Sequence, residues 1–200
     1  MIVVTGLMRS GTSPLAQMLH QMGIPMGEFM RFPLHSDRAH LDWEDSVLSD
    51  RLVGEIVLGC ENDLSEFFFD YIVRRRTPDY GVFGVKSPFL IPFMEQFLEA
   101  AEAANEPIGV VVTERDYEDT VESIYQQTQH LPFDEQSVCL DIQRRLADDI
   151  GRVIADRKIQ IEDTWAHPRI VAGWLASVAG VDADMDVASR GIGRRGEQWA

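Results

Sequence analysis

The chain opens on an apolar run with no alternation. Ile2, Val3 and Val4 follow one another directly, which suits a strand buried on both faces, and the run breaks at Gly6. Beyond Gly11 the spacing becomes helical, with apolar residues at Leu15, Met18, Leu19 and Met22 and a stop at Gly23. Residues 1 to 23 therefore predict strand, loop and helix. Residues 24 to 41 carry Pro25, Gly27, Pro33 and scattered Met, Phe and His without a clean period, and read as loop. Trp43, Val47, Leu48, Leu52 and Ile56 mark a second helix.

Further along, Leu64, Phe67, Phe68, Tyr71 and Ile72 form an amphipathic stretch closed by Arg74 to Arg76 and the turn residues Thr77 to Gly81. Val82 to Lys86 reads as a short strand. Pro88 and Pro92 bracket the turn into a helix with Phe93, Phe97, Leu98 and Ala101 inward, Pro92 lying in its first turn. Ile108 to Thr113 is the most apolar strand. Tyr117, Val121, Ile124, Tyr125 and Thr128 share one helical face, and Val138, Ile142, Leu146, Ile150 and Val153 another. Lys158 to Ile161 predicts a fourth strand. Pro168 to Ala179 predicts a last helix with Ile170, Val171, Trp174, Leu175 and Val178 buried, ended by Gly180.

Strands separated by helices imply an α/β fold: a mainly parallel sheet of about four or five strands covered by helices on both faces, a three-layer sandwich. In such sheets ligands gather at the carboxyl ends of the strands. Arg9, Lys86 and Arg115 all lie at or just beyond such ends.

The length of 200 residues fits one domain with a sizeable core, over 1–200, with 186–200 as a flexible tail. A formal charge of −15 disfavours nucleic acid and anionic membranes as partners of the whole surface. Arg74 to Arg76, Arg144 with Arg145, and Arg190 with Arg194 and Arg195 are local exceptions that suit solvated helix ends or faces. The strand starting at Ile2 leaves no room for a secretion signal, and no apolar run reaches membrane-spanning length. Cys60 and Cys139 lack metal-ligand spacing, which fits two buried thiols in a reducing cytoplasm. No metal is expected.

The chemistry starts at Gly6-Leu7-Met8-Arg9-Ser10-Gly11-Thr12-Ser13. Gly6 and Gly11 let the backbone curl so that successive N–H groups face one anion, and the following helix adds its free N–H groups and positive dipole end. The hydroxyls of Ser10, Thr12 and Ser13 are further candidate donors, and Arg9 can fork onto phosphate oxygens. The frame is Gly-x-x-x-x-Gly-x-Ser, that of a Walker A loop, but Thr12 stands where the triphosphate-binding Lys belongs. That Lys offsets charge at the β/γ-phosphates, so its absence disfavours an ATP or GTP hydrolase. The same residues also suit a glycine-rich turn that binds nothing.

Arg9-Ser10-Gly11-Thr12-Ser13 resembles the 5′-phosphosulfate loop of the sulfotransferases, P-loop-type proteins that use 3′-phosphoadenosine 5′-phosphosulfate (PAPS) and need no Lys at that place. Two further segments resemble the same family in order. Arg115 ends the third strand and Ser123 follows eight residues later, the spacing with which the family holds a 3′-phosphate, although Tyr117 replaces its Pro. Gly84-Val85-Lys86-Ser87-Pro88 is similar to the Lys-x-Pro segment of the tyrosylprotein and bacterial members. The resemblance implies that Gly6, Arg9, Ser10, Gly11, Thr12 and Ser13 bind the 5′ end of PAPS. It implies that Arg115 and Ser123 bind the 3′-phosphate, and that Lys86, with Arg9, acts on the charge that grows at the bridging oxygen.

An acceptor hydroxyl needs a base. Glu44, after Trp43, is the candidate, since a carboxylate partly desolvated beside an aromatic ring gains the raised pKa that proton removal requires; His35 and His40 compete with it. Each residue also has a plain reading. Arg115 can pair with Asp119 or Glu118, Lys86 can cap the sheet, and Glu44 can favour the first turn of a helix. Arg194-Arg195-Gly196 with Trp199 faintly resembles the family's closing segment over the 3′-phosphate, or is a disordered end. The sequence thus favours transfer of a sulfuryl group to a small-molecule, carbohydrate or peptide acceptor, with a small ATP-dependent phosphotransferase or a non-catalytic nucleotide-binding module as alternatives.

Overall fold

The computed structural model describes residues 1–27, 45–59, 62–76, 81–190 and 192. Its centre is β1 (Ile2–Gly6), every residue of which is buried. β1 pairs in parallel with β2 (Gly84–Lys86) on one side and β3 (Gly109–Glu114) on the other, and β3 pairs in parallel with β4 (Arg157–Gln160). The strand order is β2-β1-β3-β4.

The unalternating sequence of β1 follows from cover on both faces. Val3 packs with Val85, Val110 and Val112 into one apolar cluster, while Ile2 and Val4 join Val111 and Ile159 in the other. The first cluster is closed by α2 (Ser46–Leu58), α3 (Ser65–Arg75), α4 (Met94–Ala103) and α6 (Phe133–Ile150), through residues such as Leu52, Phe68, Phe97 and Leu146. The rings of Phe68 and Phe97 meet edge to face, with centroids 5.1 Å apart. The second cluster is closed by α1 (Thr12–Gln21) and α8 (Pro168–Ala179), through Leu15, Met18, Leu19, Val171 and Leu175. The result is the expected α/β three-layer sandwich, with a four-stranded, all-parallel sheet among the described residues.

The direction in which each strand exits marks the edge at which doubly wound sheets bind ligands. β1 leads into α1 on one face, whereas β2 leads into a 3-10 helix (Pro88–Phe93) that packs in the cluster on the other. β3 leads through α5 (Tyr117–Thr128) to α6, also on that other face. A central strand whose connection leaves opposite to both neighbours opens a gap at its carboxyl end, where doubly wound sheets bind ligands.

Several expectations need correction. Pro92 lies inside the 3-10 helix and α4 starts after it, because a ring without an N–H suits the tighter turn that leads into a helix. Ile161 is not the last residue of β4 but the first of α7 (Ile161–Ala166), where Glu162 and Asp163 supply the first-turn acids that favour a helix start. On α5 the inward stripe is Thr120, Ile124 and Thr128, and Tyr117 and Tyr125 are 41% and 54% exposed. Val138 and Ile170 also face outward. Trp174 is half-buried, with the Arg157 guanidinium 4.1 Å over its ring. α9 (Met185–Ala188) has Ala188 buried and Ile192 packs on the second cluster, while 191 and 193–200 of the expected tail lie outside the described residues. Cys139 is half-buried rather than buried, and Cys60 lies outside the described residues. No helix among the described residues is long and apolar enough to cross a membrane.

Candidate functional site

The turn after β1 is built by close approach. At Gly6, with φ 154°, a Cβ would collide with the Thr113 hydroxyl on β3 and sit 2.6 Å from Ser10 Oγ, so only glycine fits. Arg9 and Gly11 both adopt left-handed backbone, with φ 68° and 97°. Left-handed residues this close together turn peptide N–H groups inward, the concavity that receives anions. A Cβ on Gly11 would strike the Ile161 side chain at the start of α7.

Ser10 holds this shape from inside. It is fully buried, its N–H donates to the Leu7 carbonyl at 3.1 Å and its hydroxyl to the same carbonyl at 2.6 Å. That leaves the Thr113 hydroxyl to donate to Ser10 Oγ. The Ser10 hydroxyl is thus engaged within the loop, and its part is to fix the turn. Gly11 is the N-cap of α1 and no side chain caps the helix start. The start of α1, with the positive end of its dipole, therefore lies at the carboxyl end of β1, and Pro14 in its first turn has no N–H.

Arg9, Arg115 and Ser123 come together at the lip of this loop. Arg9 Nε donates to Ser123 Oγ at 3.2 Å, and Arg115 Nη1 donates to the Arg9 carbonyl at 3.1 Å. The surface pairing foreseen for Arg115 is also present, since its Nε lies 3.8 Å from Asp119 Oδ2. That distance is too long for a hydrogen bond, and the buried Nε has no hydrogen-bond partner among the described residues. One donor of Arg115 is thus unsatisfied beside the crevice. The start of α5 does not compete for an anion, because Asp116 already accepts from the N–H groups of Glu118 and Asp119.

Lys86 ends β2 beside Val4, two residues before the end of β1, and is only 3% exposed. Register puts its side chain on the face that α1 covers, the side from which the loop returns to its helix. The next residue is held firmly: Ser87 N–H donates to the Val4 carbonyl at 3.2 Å and the Thr5 hydroxyl to the Ser87 carbonyl at 2.9 Å. The N–H of Asp45 reaches the Lys86 carbonyl at 3.4 Å, tying the start of α2 to the same edge.

Glu44, His35 and His40 lie outside the described residues, as do Trp43, Arg194, Arg195, Gly196 and Trp199. Next to that segment Asp45 is buried, caps α2 by accepting from the Leu48 N–H at 3.1 Å, and stands near Tyr71 and Arg75. Burial first, and the Asp45 charge second, push the Tyr71 hydroxyl well above its ordinary pKa, with Arg75 opposing. Burial, with Glu135 adding to it, also pushes the Cys139 thiol up, the opposite of an activated nucleophile.

The residue that sequence reading missed is Gln143 of α6. Fully buried, it accepts from the Met8 N–H at 3.1 Å and donates to the Met8 carbonyl at 3.2 Å. The available signal was a polar side chain on the apolar stripe of a helix, between Ile142 and Leu146.

No protein-family model matches the chain, and no curated protein matches it in sequence. Solved structures do match in shape. It is similar to the sulfotransferase STF9 of Mycobacterium avium, with a TM-score of 0.59 and 15% identity over 94% of this chain and 66% of that one. It is similar to the sulfotransferase domain of the Synechococcus PCC 7002 olefin synthase, with a TM-score of 0.51 and 17% identity over 94% and 75%. It is similar to the sulfotransferase STF1 of Mycobacterium tuberculosis H37Rv, with a TM-score of 0.53 and 15% identity over 94% and 70%. The chain thus spans 66 to 75% of the length of these structures, and it has the fold of the sulfotransferases.

Proposed function

We propose that the chain is a sulfotransferase that takes a sulfuryl group from PAPS to the hydroxyl or amine of a small-molecule, carbohydrate or peptide acceptor. The observation that carries this reading is the meeting of Arg9, Arg115 and Ser123 at the lip of the β1–α1 loop, with a buried donor of Arg115 left unsatisfied there. A loop for one phosphate and a separate Arg/Ser pair for a second suit a nucleotide phosphorylated at both ends of its ribose. They do not suit a triphosphate, for which Thr12 replaces the Lys.

PAPS supplies a sulfuryl group on its 5′-phosphate, transferred as the bridging S–O bond breaks. The chain's residues divide the remaining work. Gly6, Gly11, Thr12 and Ser13 shape the nest and helix start for the 5′ end, while Ser10 fixes the turn from within. Arg115 and Ser123 hold the 3′-phosphate, Arg115 through charge-assisted hydrogen bonds. Arg9 spans the two places. Lys86, at the carboxyl end of β2, stabilises negative charge growing on the bridging oxygen. Glu44 removes the acceptor proton, with His35 or His40 as the other bases within the same segment.

Isothermal calorimetry with 3′-phosphoadenosine 5′-phosphate, 5′-AMP and ATP with magnesium tests the reading. The expected result is tightest binding of the 3′,5′-bisphosphate. Preference for ATP with magnesium would overturn it in favour of a phosphotransferase. Preferential bisphosphate binding without labelled-sulfate transfer to any of a panel of hydroxyl and amine acceptors would leave a nucleotide-binding module instead.

A further inference from the structure

Gln143 reaches both halves of the proposed nucleotide site from behind. Its Oε1 accepts from the Met8 N–H, and its Nε2 donates both to the Met8 carbonyl and, at 2.9 Å, to Thr120 Oγ1. The orientation of this amide follows from its partners. The single hydroxyl hydrogen of Thr120 goes to the Tyr117 carbonyl at 2.6 Å, so Thr120 Oγ1 meets Nε2 as an acceptor. Turning the amide over would set oxygen against the Met8 carbonyl and nitrogen against its N–H.

The segments joined in this way are the two that the nucleotide requires. Met8 directly precedes Arg9 in the β1–α1 loop, and Thr120 lies on α5 between Arg115 and Ser123. The bond from Arg9 to Ser123 also spans them, but it uses groups assigned to the ligand. The bonds of Gln143 use none of those groups, and the amide itself is fully buried, with its bond to Thr120 buried and its two bonds to Met8 part-buried. A ligand held at both ends gains from its second contact only if the two sites are held at the matching separation.

We propose that Gln143 is a positioning residue that sets the spacing between the 5′-phosphate loop and the Arg115/Ser123 site, and so sets the preference for a 3′,5′-bisphosphate over a 5′-monophosphate. This rests on the nucleotide reading above. The structural basis is one buried amide bridging Met8 and Thr120.

The test is calorimetry of 3′-phosphoadenosine 5′-phosphate and 5′-AMP on the unaltered chain, on Gln143→Met and on Thr120→Val. Met fills the volume of Gln without its hydrogen bonds, and Val removes only the Thr120 hydroxyl while leaving the Met8 pair. The ratio of the two affinities should fall about fivefold in each variant, the scale of a coupled contact, with 5′-AMP binding by Thr120→Val changed less than about twofold. A role confined to loop stability would weaken both nucleotides alike and leave the ratio unchanged, which overturns the proposal. Should Gln143→Met fail to fold, Thr120→Val decides by the same ratio. An unaltered chain with no bisphosphate preference overturns the nucleotide reading and this proposal with it. A preference that survives both substitutions overturns the proposal alone.

Discussion

Arg115 is held on one side by the Arg9 carbonyl and on the other by a long contact to Asp119, and its buried Nε is still short of an acceptor. On the proposed reading a 3′-phosphate would bond this guanidinium. Arg115→Ala should therefore weaken bisphosphate binding by about 1.5 to 3 kcal/mol, the range for hydrogen bonds to charged groups, and leave 5′-AMP nearly unaffected. Equal losses for the two nucleotides would contradict the role. In the proposed transfer Lys86 would act on a charge that exists only as the S–O bond breaks, so Lys86→Ala should lower kcat by about 100-fold or more while product-nucleotide binding stays close to its original value. An unchanged turnover would remove it from catalysis. Tyr71 gives a pH signature of the packing beneath α2. Its folded pKa is raised, so below about pH 10 both states keep the proton and the contribution to stability is full. Above that the unfolded chain loses a proton that the folded chain retains, and stability falls with rising pH. Urea midpoints of the unaltered chain and Tyr71→Phe should run parallel up to about pH 9.5 and diverge above it, the tyrosine protein falling faster. Parallel behaviour up to pH 10.5 would mean that the hydroxyl is not held in that environment.

The β1–α1 element shows how far local sequence fixes local shape. Gly6 and Gly11 announce a turn because no other residue meets both their backbone angles and their neighbours. At Gly11, φ is 97° and the Cβ position is filled by the Ile161 side chain. Gly11→Ala should cost about 1 to 3 kcal/mol of stability through strain at that position, and weaken 5′-AMP and the bisphosphate together, unlike Arg115→Ala. Thermal unfolding with paired nucleotide titrations checks this, and a variant with unaltered midpoint and affinities would show that the loop tolerates another backbone path. The strands, the two glycine turns and the place of Lys86 and Arg115 at strand ends were legible because burial on two faces leaves continuous apolar runs. Helix faces were less so. On α5 the apolar weight of Tyr117 and Tyr125 pointed to the wrong side, since the inward stripe uses Thr120 and Thr128, whose hydroxyls bond to carbonyls of their own helix. Ile161 looked like strand because it is β-branched and follows Ile159, yet the first-turn acids begin a helix there. Gln143 was legible only as a polar side chain on an apolar stripe. Its worth lies entirely in partners 135 and 23 residues away, which no local pattern encodes.

At the scale of the whole molecule, parallel pairing gives the sheet one carboxyl edge, and strand order decides which residues are neighbours along it. Parallel pairing sets Lys86, Arg9 and Arg115 at one carboxyl edge, and the position of β1 between β2 and β3, which chain order does not reveal, makes their strands neighbours there. The opposite edge has a groove of its own, about 910 Å³, lined by Arg76, Phe83, Glu106, Gly109, Asp156 and Val178 among others. Two of those side chains are acids in a chain of net charge −15, and Arg76 is already engaged by Glu106 at 3.5 Å and the Ala104 carbonyl at 3.4 Å. With the Met1 ammonium on Glu106 at 2.9 Å, the groove has two cations for its two acids and no excess positive charge to draw a nucleotide with two phosphates. Hydrogen exchange read by mass spectrometry separates the edges. Saturating 3′-phosphoadenosine 5′-phosphate should slow exchange in peptides covering residues 7–13 and 115–123, by about 2.7 kcal/mol of added protection at 100 times Kd for amides that exchange through global unfolding. Amides along 106–109 and 177–179 should show only that global increment and no local protection. Local protection at the second edge, with none in the β1–α1 loop, would place the nucleotide in the groove and remove the ligand from Arg9, Lys86 and Arg115 together.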